Sequence, residues 1–297
     1  MEWFYRQGSL HNGPFETVVD GRIPGWRHTG LRVAKLKAGI FAELTDTSVE
    51  RIVVPLSGSF VVEYQLGSES AKQSLKGRKS PFHGTTDTLY LPLGATAKVT
   101  GVGHVAIAEG PATKARPVHY SPAESVPIEL RGAGRSTRQV HNFGTPAALD
   151  ADRLIVCEVI TPSDNWSSYP PHKHDEYIPG VQSNLEEIYY FEVSSIREEN
   201  APADADAIGY FRNYGTDDRP IDTLAEVRTG DVALVPHGWH GPAMAAPGYD
   251  LYYLNVMAGP DPDRSWNIVD DPHHGWVRKN WEGQQPDARL PYTAEES

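Results

Sequence analysis

The chain is divided into short apolar runs by 24 prolines and 27 glycines spread over 297 residues. Both residue types interrupt helices, so this density leaves little room for a long helix. The runs between them are rich in Val, Ile, Leu, Tyr and Phe, which favour strands. Strands are predicted at residues 31–36, 51–56, 59–64, 88–91, 154–160, 187–193, 232–235 and 249–256. Short strands that alternate with turns predict an all-β protein, built as a sandwich or a barrel.

Charge and cysteine content exclude several classes of protein. The formal net charge is −12, so long-range attraction to nucleic acid or to an anionic membrane is not expected. No segment reaches the roughly 20 apolar residues that span a bilayer, and residues 1–18 lack the apolar stretch of a signal peptide. Cys157 is the only cysteine, so no intramolecular disulfide can form. We therefore expect a cytoplasmic protein without nucleic-acid or membrane partners.

An internal repeat is visible at an offset of 144 residues. Residues 87–94, DTLYLPLG, align with residues 231–238, DVALVPHG, with the acid, the apolar strand, the proline and the glycine in register. Coincidence between two ordinary strand-to-turn segments is the alternative explanation. A Glu-led apolar run precedes each copy, at residues 50–56 and 187–193. We predict two similar β units at residues 1–114 and 135–297, joined by a proline- and glycine-rich linker at residues 115–134.

Residues with metal-binding chemistry concentrate in the second half. His172 and His174 stand at positions i and i+2, which places both imidazoles on one face of a strand. Alone, such a pair is also typical of a solvent-facing strand. Glu186 and Glu187 open the next strand, however, and residues 236–240, PHGWH, supply further histidines. Imidazoles with a carboxylate form a usable first shell for Zn²⁺ and related divalent ions.

These segments resemble the two-part signature of the cupins. The match consists of the His-x-His pair, a following Glu, and the stretch from Gly230 through Pro236 and Gly238 to His240. The long loop before the Glu is explained by a narrower resemblance, to the 5-deoxyglucuronate isomerases of inositol breakdown. That resemblance is carried by residues 160–175, ITPSDNWSSYPPHKHD, by 185–190, LEEIYY, by 254–260, LNVMAGP, by 271–276, DPHHGW, and more loosely by 129–135, ELRGAGR.

The resemblance implies a bicupin, two jelly-roll-like β-barrels in tandem with a metal in the second. The implied ligands are His172, His174, Glu187 and His240. Glu187 is preferred over Glu186 because it directly precedes an apolar run, as the metal Glu does in the related 4-deoxy-5-ketouronate isomerases. His240 is preferred over His237 because the last cupin His lies beyond the Pro-x-Gly turn. Thr96 falls at the place of His240 in the repeat, so we expect the first barrel, residues 1–114, to be degenerate and without metal.

The resemblance also implies a reaction, the aldose–ketose isomerisation of 5-deoxy-D-glucuronate to 5-dehydro-2-deoxy-D-gluconate. One divalent metal per chain would act as a Lewis acid, with Zn favoured and Mn, Fe or Ni as alternatives. A base must also move a proton. The residues considered for that role are Asp175, Tyr189, Lys173 and His237.

The partner implied for the enzyme is a small sugar acid, and the sequence is compatible with a homo-oligomer. The substrate carboxylate calls for an arginine, for which Arg264 and Arg278 are candidates, with His237 at the rim. His273 and His274 are interpreted as structural or substrate-adjacent. A cupin dioxygenase using Fe(II) and a non-catalytic sugar-binding cupin are the alternative functions.

Overall fold

Strands dominate the computed structural model, which describes residues 3–195 and 200–293. The N-terminal half contains β1 Phe4–Tyr5, β2 Thr17–Val19, β3 Gly30–Leu36, β4 Phe41–Leu44, β5 Val49–Leu66, β6 Glu69–Arg78, β7 Thr88–Leu91, β8 Ala95–Pro111 and β9 His119–Ser121. The C-terminal half contains β10 Ile128–Arg131, β11 Arg138–Gly144, β12 Ile155–Thr161, β13 Trp166–Ser167, β14 His172–Lys173, β15 Asp175–Ile178, β16 Gln182–Asn184, β17 Glu186–Ser194, β18 Gly209–Tyr214, β19 Asp222–Val227, β20 Val232–Val235, β21 Trp239–Ala245, β22 Asp250–Ala258 and β23 Val269–Asp270. Within the described residues, helix is limited to 3-10 segments at Ala123–Ser125, Gly134–Ser136 and Gly275–Trp281.

The N-terminal sheet has the strand order β2-β3-β8-β5-β7-β9, with β4 added to β8 and β6 to β5. The strands predicted at 51–56 and 59–64 form one long strand, β5, which continues through Gly58 with a shift in register near Pro55. Gly58 has φ +81°, and a Cβ there would lie 2.0 Å from the carbonyl oxygen of Val102. The turn-like glycine therefore permits close strand contact and does not end the strand.

The C-terminal half consists of two main sheets, in the orders β1-β20-β17-β22-β12-β11-β10 and β19-β18-β21-β14-β23. Strand β1, at the start of the chain, pairs with β20 of this half. The predicted linker, residues 115–134, contains β9 and β10, which pair with β7 and β11 respectively. The connecting segment is thus held to both halves by main-chain hydrogen bonds.

Strand β17 separates two hydrophobic cores. Tyr189 and Phe191 belong to the core inside the C-terminal barrel, whereas Ile188 and Tyr190 belong to a core between the two halves. Successive strand residues face opposite sides, so a strand buried on both faces has a continuous apolar run. A third core fills the N-terminal barrel around residues such as Val53.

Buried carboxylates also tie the halves together. Glu50 of β5 accepts hydrogen bonds from the backbone N–H groups of residues 152–154 in the C-terminal half. In the opposite direction, Glu186 of β17 accepts from the backbone N–H groups of Arg27 and His28. Each half therefore contributes one carboxylate that holds a loop of the other.

No helix among the described residues has the length and apolar character needed to cross a membrane.

Candidate metal centre and adjoining cavity

The second barrel brings the predicted histidines together through strand pairing. His172 of β14 lies directly opposite His240 of β21, and their ring centroids are 4.5 Å apart. His174, two residues further, presents its ring to the same place, 4.7 Å from that of His240. The i, i+2 spacing and one cross-strand pair are enough to gather three imidazoles.

Glu187 completes the cluster from β17. Its Oε2 lies 3.0 Å from Nε2 of His174, in a hydrogen bond, and 3.1 Å from Nε2 of His240, an atom without a hydrogen-bond partner among the described residues. Among the described residues, the ligand atoms of His174, Glu187 and His240 lie within 4.8 Å of one another. His172, the fourth predicted ligand, adjoins this group through its ring but lies outside it.

The imidazole tautomers are set by the backbone. The Nδ1 atoms of His172, His174 and His240 lie 3.2–3.3 Å from the carbonyl oxygens of Pro170, Leu185 and Gly238. An Nδ1–H that donates to a carbonyl directs Nε2 of each ring into the cluster, where a bound cation would take its lone pair, the usual arrangement of metal-binding histidines. The three rings and the Glu187 carboxylate therefore fit a divalent cation.

Burial and the neighbouring side chains together set the pKa values in this cluster. Burial lowers the pKa of His172 well below its usual value, and the neighbouring His240 and His174 add to the effect. Burial would also lower the pKa of His174, but the hydrogen bond to Glu187 outweighs it and the pKa is raised. For Glu187, burial is outweighed by the contacts with His174 and His240, so the pKa of the carboxyl is lowered. The site thus retains a carboxylate, the charge that a cation needs.

Asp175 and Lys173 face away from the imidazoles. Asp175 accepts hydrogen bonds from Lys173 Nζ, the backbone N–H of Gly238, Gln182 and Arg219. With its acceptors used in this way, Asp175 anchors the turn that precedes His240. Lys173 also lies over the ring of Trp239.

Tyr189 is the one predicted catalytic residue on the interior face. It is buried beside Glu187 on the same side of β17, with its ring centroid 6.2 Å from that of His240. Its hydroxyl lies 3.1 Å from Oγ of Ser168, which in turn lies 3.0 Å from the hydroxyl of Tyr253. Burial raises the pKa of Tyr189 well above 10.

A cavity of about 520 Å³ opens beside His172. Its lining residues are predominantly charged: Glu129, Arg131, Arg138, His172, Trp266, Ile268, Asp270 and Arg278. Volumes of this size are typical of small-molecule sites. Arg278, one of the predicted carboxylate-binding residues, is held in a two-point pair by Asp270.

Two other predicted site residues lie elsewhere. Arg264 donates hydrogen bonds to the carbonyl oxygens of Leu154, Leu149 and Gly144 and does not line the cavity. His237 lines a different groove, beside Trp3 and Phe4 of the N-terminal segment. Burial, followed by the charge of Arg219, lowers the pKa of His237. The structure does not bring either residue to the cluster of histidines around Glu187.

Four residues near the site were missed by the sequence reasoning. Arg138 and Trp266 line the cavity, and within the described residues the buried indole N–H of Trp266 has no hydrogen-bond partner. Asn213 pairs with His240 across β18 and β21, and neither polar atom of its buried amide has a hydrogen-bond partner in the part of the chain that the structure describes. Arg131 could have been found, because it lies in residues 129–135, which carry the loose part of the resemblance. An isolated Asn or Trp offered no such signal.

In the first barrel, the strand position that corresponds to Glu187 is occupied by an arginine. Arg51 pairs with Leu91 as Glu187 pairs with Val235, and the 144-residue repeat relates Leu91 to Val235. The buried guanidinium of Arg51 donates to Glu109 and to backbone carbonyls of residues 46 and 95. A positively charged side chain at the position of Glu187 would repel a metal ion. This gives a physical reason to expect no metal in the first barrel, and that expectation stays a prediction.

Sequence comparisons identify relatives over most of the chain. A family model described as the KduI/IolB family matches residues 3–277. The 5-deoxy-glucuronate isomerase of Geobacillus kaustophilus (strain HTA426) is 36% identical over 261 residues, covering 86% of this chain and 88% of the relative. The protein of the same name from Bacillus subtilis (strain 168) is 37% identical over 231 residues, 77% of this chain and 79% of the relative. The resemblance predicted from the sequence is confirmed.

Solved structures support the fold. An IolB-like protein from Salmonella typhimurium LT2 has a TM-score of 0.81 at 33% identity and covers 93% of this chain and 99% of its own. The oxalate decarboxylase of Lactobacillus farciminis, solved as a formate complex, has a TM-score of 0.62 at 10% identity and covers 91% of this chain and 88% of its own. At that identity the likeness concerns the fold alone. The predicted all-β bicupin architecture is confirmed.

Proposed function

The chain belongs to the KduI/IolB family, and on that premise we propose that it is a metal-dependent isomerase converting 5-deoxy-D-glucuronate to 5-dehydro-2-deoxy-D-gluconate. Its class as an isomerase follows from the relatives that share this name. Metal dependence rests on one observation, the convergence of His174, Glu187 and His240 within 4.8 Å. The proposal includes a cytoplasmic location and a role in inositol breakdown.

The residues that would hold the metal are His174, Glu187 and His240, whose ligand atoms converge, and His172, whose ring adjoins that of His240. A divalent cation there would supply Lewis-acid polarisation of the sugar carbonyl. We propose Zn²⁺ because imidazole and carboxylate donors suit it, and Mn, Fe and Ni are the alternatives that the same donors accept.

The remaining steps belong to the chain's own groups. Tyr189 and Ser168 form a hydroxyl pair, 3.1 Å apart, and Tyr189 lies two residues after Glu187, on the same face of β17. We assign to the Tyr189 hydroxyl the holding or transfer of a proton during the shift between adjacent carbons. The histidines and Glu187 of the candidate metal site are buried, which excludes water and strengthens each electrostatic contact made with the substrate.

The test is anaerobic conversion of 5-deoxy-D-glucuronate, followed by NMR. Metal-loaded protein should convert the aldose to the ketose, chelation should abolish the conversion, and Zn²⁺ should restore it without O₂. Elemental analysis of the same samples should give one metal per chain.

Three outcomes would contradict the proposal. Metal-loaded protein that leaves the aldehyde untouched yet binds the sugar acid would favour a binding protein. Turnover that needs Fe²⁺ and consumes O₂ would favour an oxygenase. Full activity after exhaustive chelation, with no metal detected in the protein, would show that the reaction does not require a metal.

A further inference from the structure

Arg138 carries a buried positive charge for which the described part of the chain provides no carboxylate partner. Only 5% of the residue is exposed, and its Nη1 donates to two backbone carbonyls, those of Ser136 at 3.0 Å and Tyr169 at 3.5 Å. None of the carboxylates in residues 3–195 and 200–293 lies within 4.0 Å of its guanidinium nitrogens. Burial of an unpaired charge is costly, so the arrangement favours an anion from outside the chain.

The other two arginines of the cavity are already paired. Arg131 forms a two-point pair with Glu129, with N···O distances of 2.9 and 2.8 Å. Arg278 forms a similar pair with Asp270. Three arginines and two carboxylates leave the cavity wall with one uncompensated positive charge, which belongs to Arg138.

Strand pairing increases the cost of that charge. Arg131 of β10 lies directly opposite Arg138 of β11, and like charges in this position repel. Burial lowers the pKa of Arg138 to about 10; the charges of Arg131 and Arg278 act in the same direction, and Tyr253 and Glu129 act against them. The guanidinium is nevertheless charged at neutral pH, and an anion beside it would relieve both the desolvation and the repulsion.

Resting on the proposed function, we propose that Arg138 binds the carboxylate of the sugar-acid substrate and makes the enzyme specific for acids over neutral sugars. The same cavity wall contains His172, whose ring centroid lies 4.5 Å from that of His240 in the candidate metal site. A sugar acid in this cavity can therefore place its carboxylate at Arg138 and its aldehyde group towards the candidate metal site. Arg264 and Arg278, the candidates from the sequence, have their donors committed to backbone carbonyls and to Asp270.

The experiment compares the substrate with its neutral carboxamide in wild type and in Arg138→Met. Loss of a charge-assisted contact should lower kcat/KM for the acid about 100-fold in the variant. The rate with the carboxamide should change little, so the preference for the acid should disappear. Arg138→Lys keeps the positive charge but lacks the planar guanidinium. Its preference for the acid should therefore lie between those of the wild type and Arg138→Met.

Arg135→Met is the matched control, because Arg135 lies three residues away with a side chain that is 71% exposed. It should leave the preference for the acid unchanged. Metal content and circular dichroism should be the same in all four proteins. If Arg138→Met does not fold, the comparison is made with Arg138→Lys, which retains the buried charge.

A binding measurement separates this inference from the proposed isomerisation. The probe is the substrate with its aldehyde reduced to an alcohol, which cannot isomerise but retains the carboxylate. It should raise the Tm of the wild type and not that of Arg138→Met. If the wild type does not isomerise 5-deoxy-D-glucuronate but this pattern holds, the proposed reaction fails and the carboxylate site stands. A folded Arg138→Met or Arg138→Lys protein with full preference for the acid would overturn the site.

Discussion

At the scale of single residues, two histidines three positions apart in the chain have different surroundings. His240 is fully buried, with Nε2 lying 3.1 Å from Oε2 of Glu187, whereas His237 lines a groove beside Trp3 and Phe4. We expect His240→Ala to lower metal affinity at least tenfold, because one of the converging donors is lost. His237→Ala should keep about one metal per chain.

Elemental analysis after dialysis against a weak chelator measures this difference. Equal metal loss in the two variants would show that the turn as a whole, and not the His240 imidazole, governs binding. Full occupancy in His240→Ala would assign the metal to other residues.

At the scale of one element, β17 places two adjacent glutamates in different environments. Glu187 faces the barrel interior and the imidazoles, and Glu186 faces Arg27 and His28 of the other half. Glu187→Gln should lower metal affinity and reduce the rate about a hundredfold, equivalent to ~3 kcal/mol of transition-state stabilisation. Glu186→Gln should reduce stability by about 1–3 kcal/mol, since a buried acceptor of backbone N–H groups is weakened.

The adjacent variants serve as controls for each other. Metal stoichiometry and kcat should remain near wild type in Glu186→Gln, and urea unfolding should detect its lower stability. A metal-depleted Glu186→Gln protein with a fully loaded Glu187→Gln protein would mean that the register of β17 differs by one residue.

At the scale of the whole molecule, the two halves are joined by an ion pair between Glu158 and Arg78. The two N–H···O contacts measure 2.7 and 2.6 Å, and His141 Nδ1 lies 2.6 Å from the same carboxylate. Burial alone would raise the pKa of Glu158, but the charge of Arg78 and the hydrogen bond from His141 lower it to about 2, against an ordinary value of 4.5. The unfolded chain therefore binds this proton at a higher pH than the folded chain does.

This difference predicts a pH-dependent stability. A carboxyl with a depressed folded pKa stabilises the fold fully above about pH 4.5 and loses that contribution as the pH falls towards 2. Its magnitude at pH 7 is about 3 kcal/mol. The difference in unfolding free energy between wild type and Glu158→Gln should be largest near pH 7 and shrink below pH 4.5. A difference that stays constant from pH 7 to pH 3 would show that charge is not its source.

Most of the strands could be predicted from local sequence patterns alone. Apolar runs between turn residues predicted strands that match β3, β7, β12, β17, β20 and β22 to within about one or two residues, since a strand buried on one or both faces leaves its period in the sequence. Spacing likewise indicated that His172 and His174 share a face and that a histidine follows the turn at Gly238. The merging of two predicted strands into β5 was missed, because a glycine that permits close strand contact looks like a turn glycine.

Contacts between distant segments were decided only by the tertiary structure. The sequence favoured Glu187 over Glu186 by resemblance alone. The two faces of β17 separate them, because Glu187 packs against the imidazoles and Glu186 against the N-terminal half. Similarly, Arg138 has no distinguishing pattern in the sequence. Its unpaired charge arises because β10 places Arg131 opposite it, while Glu129 and Asp270 pair with other arginines. Local periodicity determines which way a side chain points along its own strand, whereas the neighbours it meets, and the charge left without a partner, depend on strands brought together from across the chain.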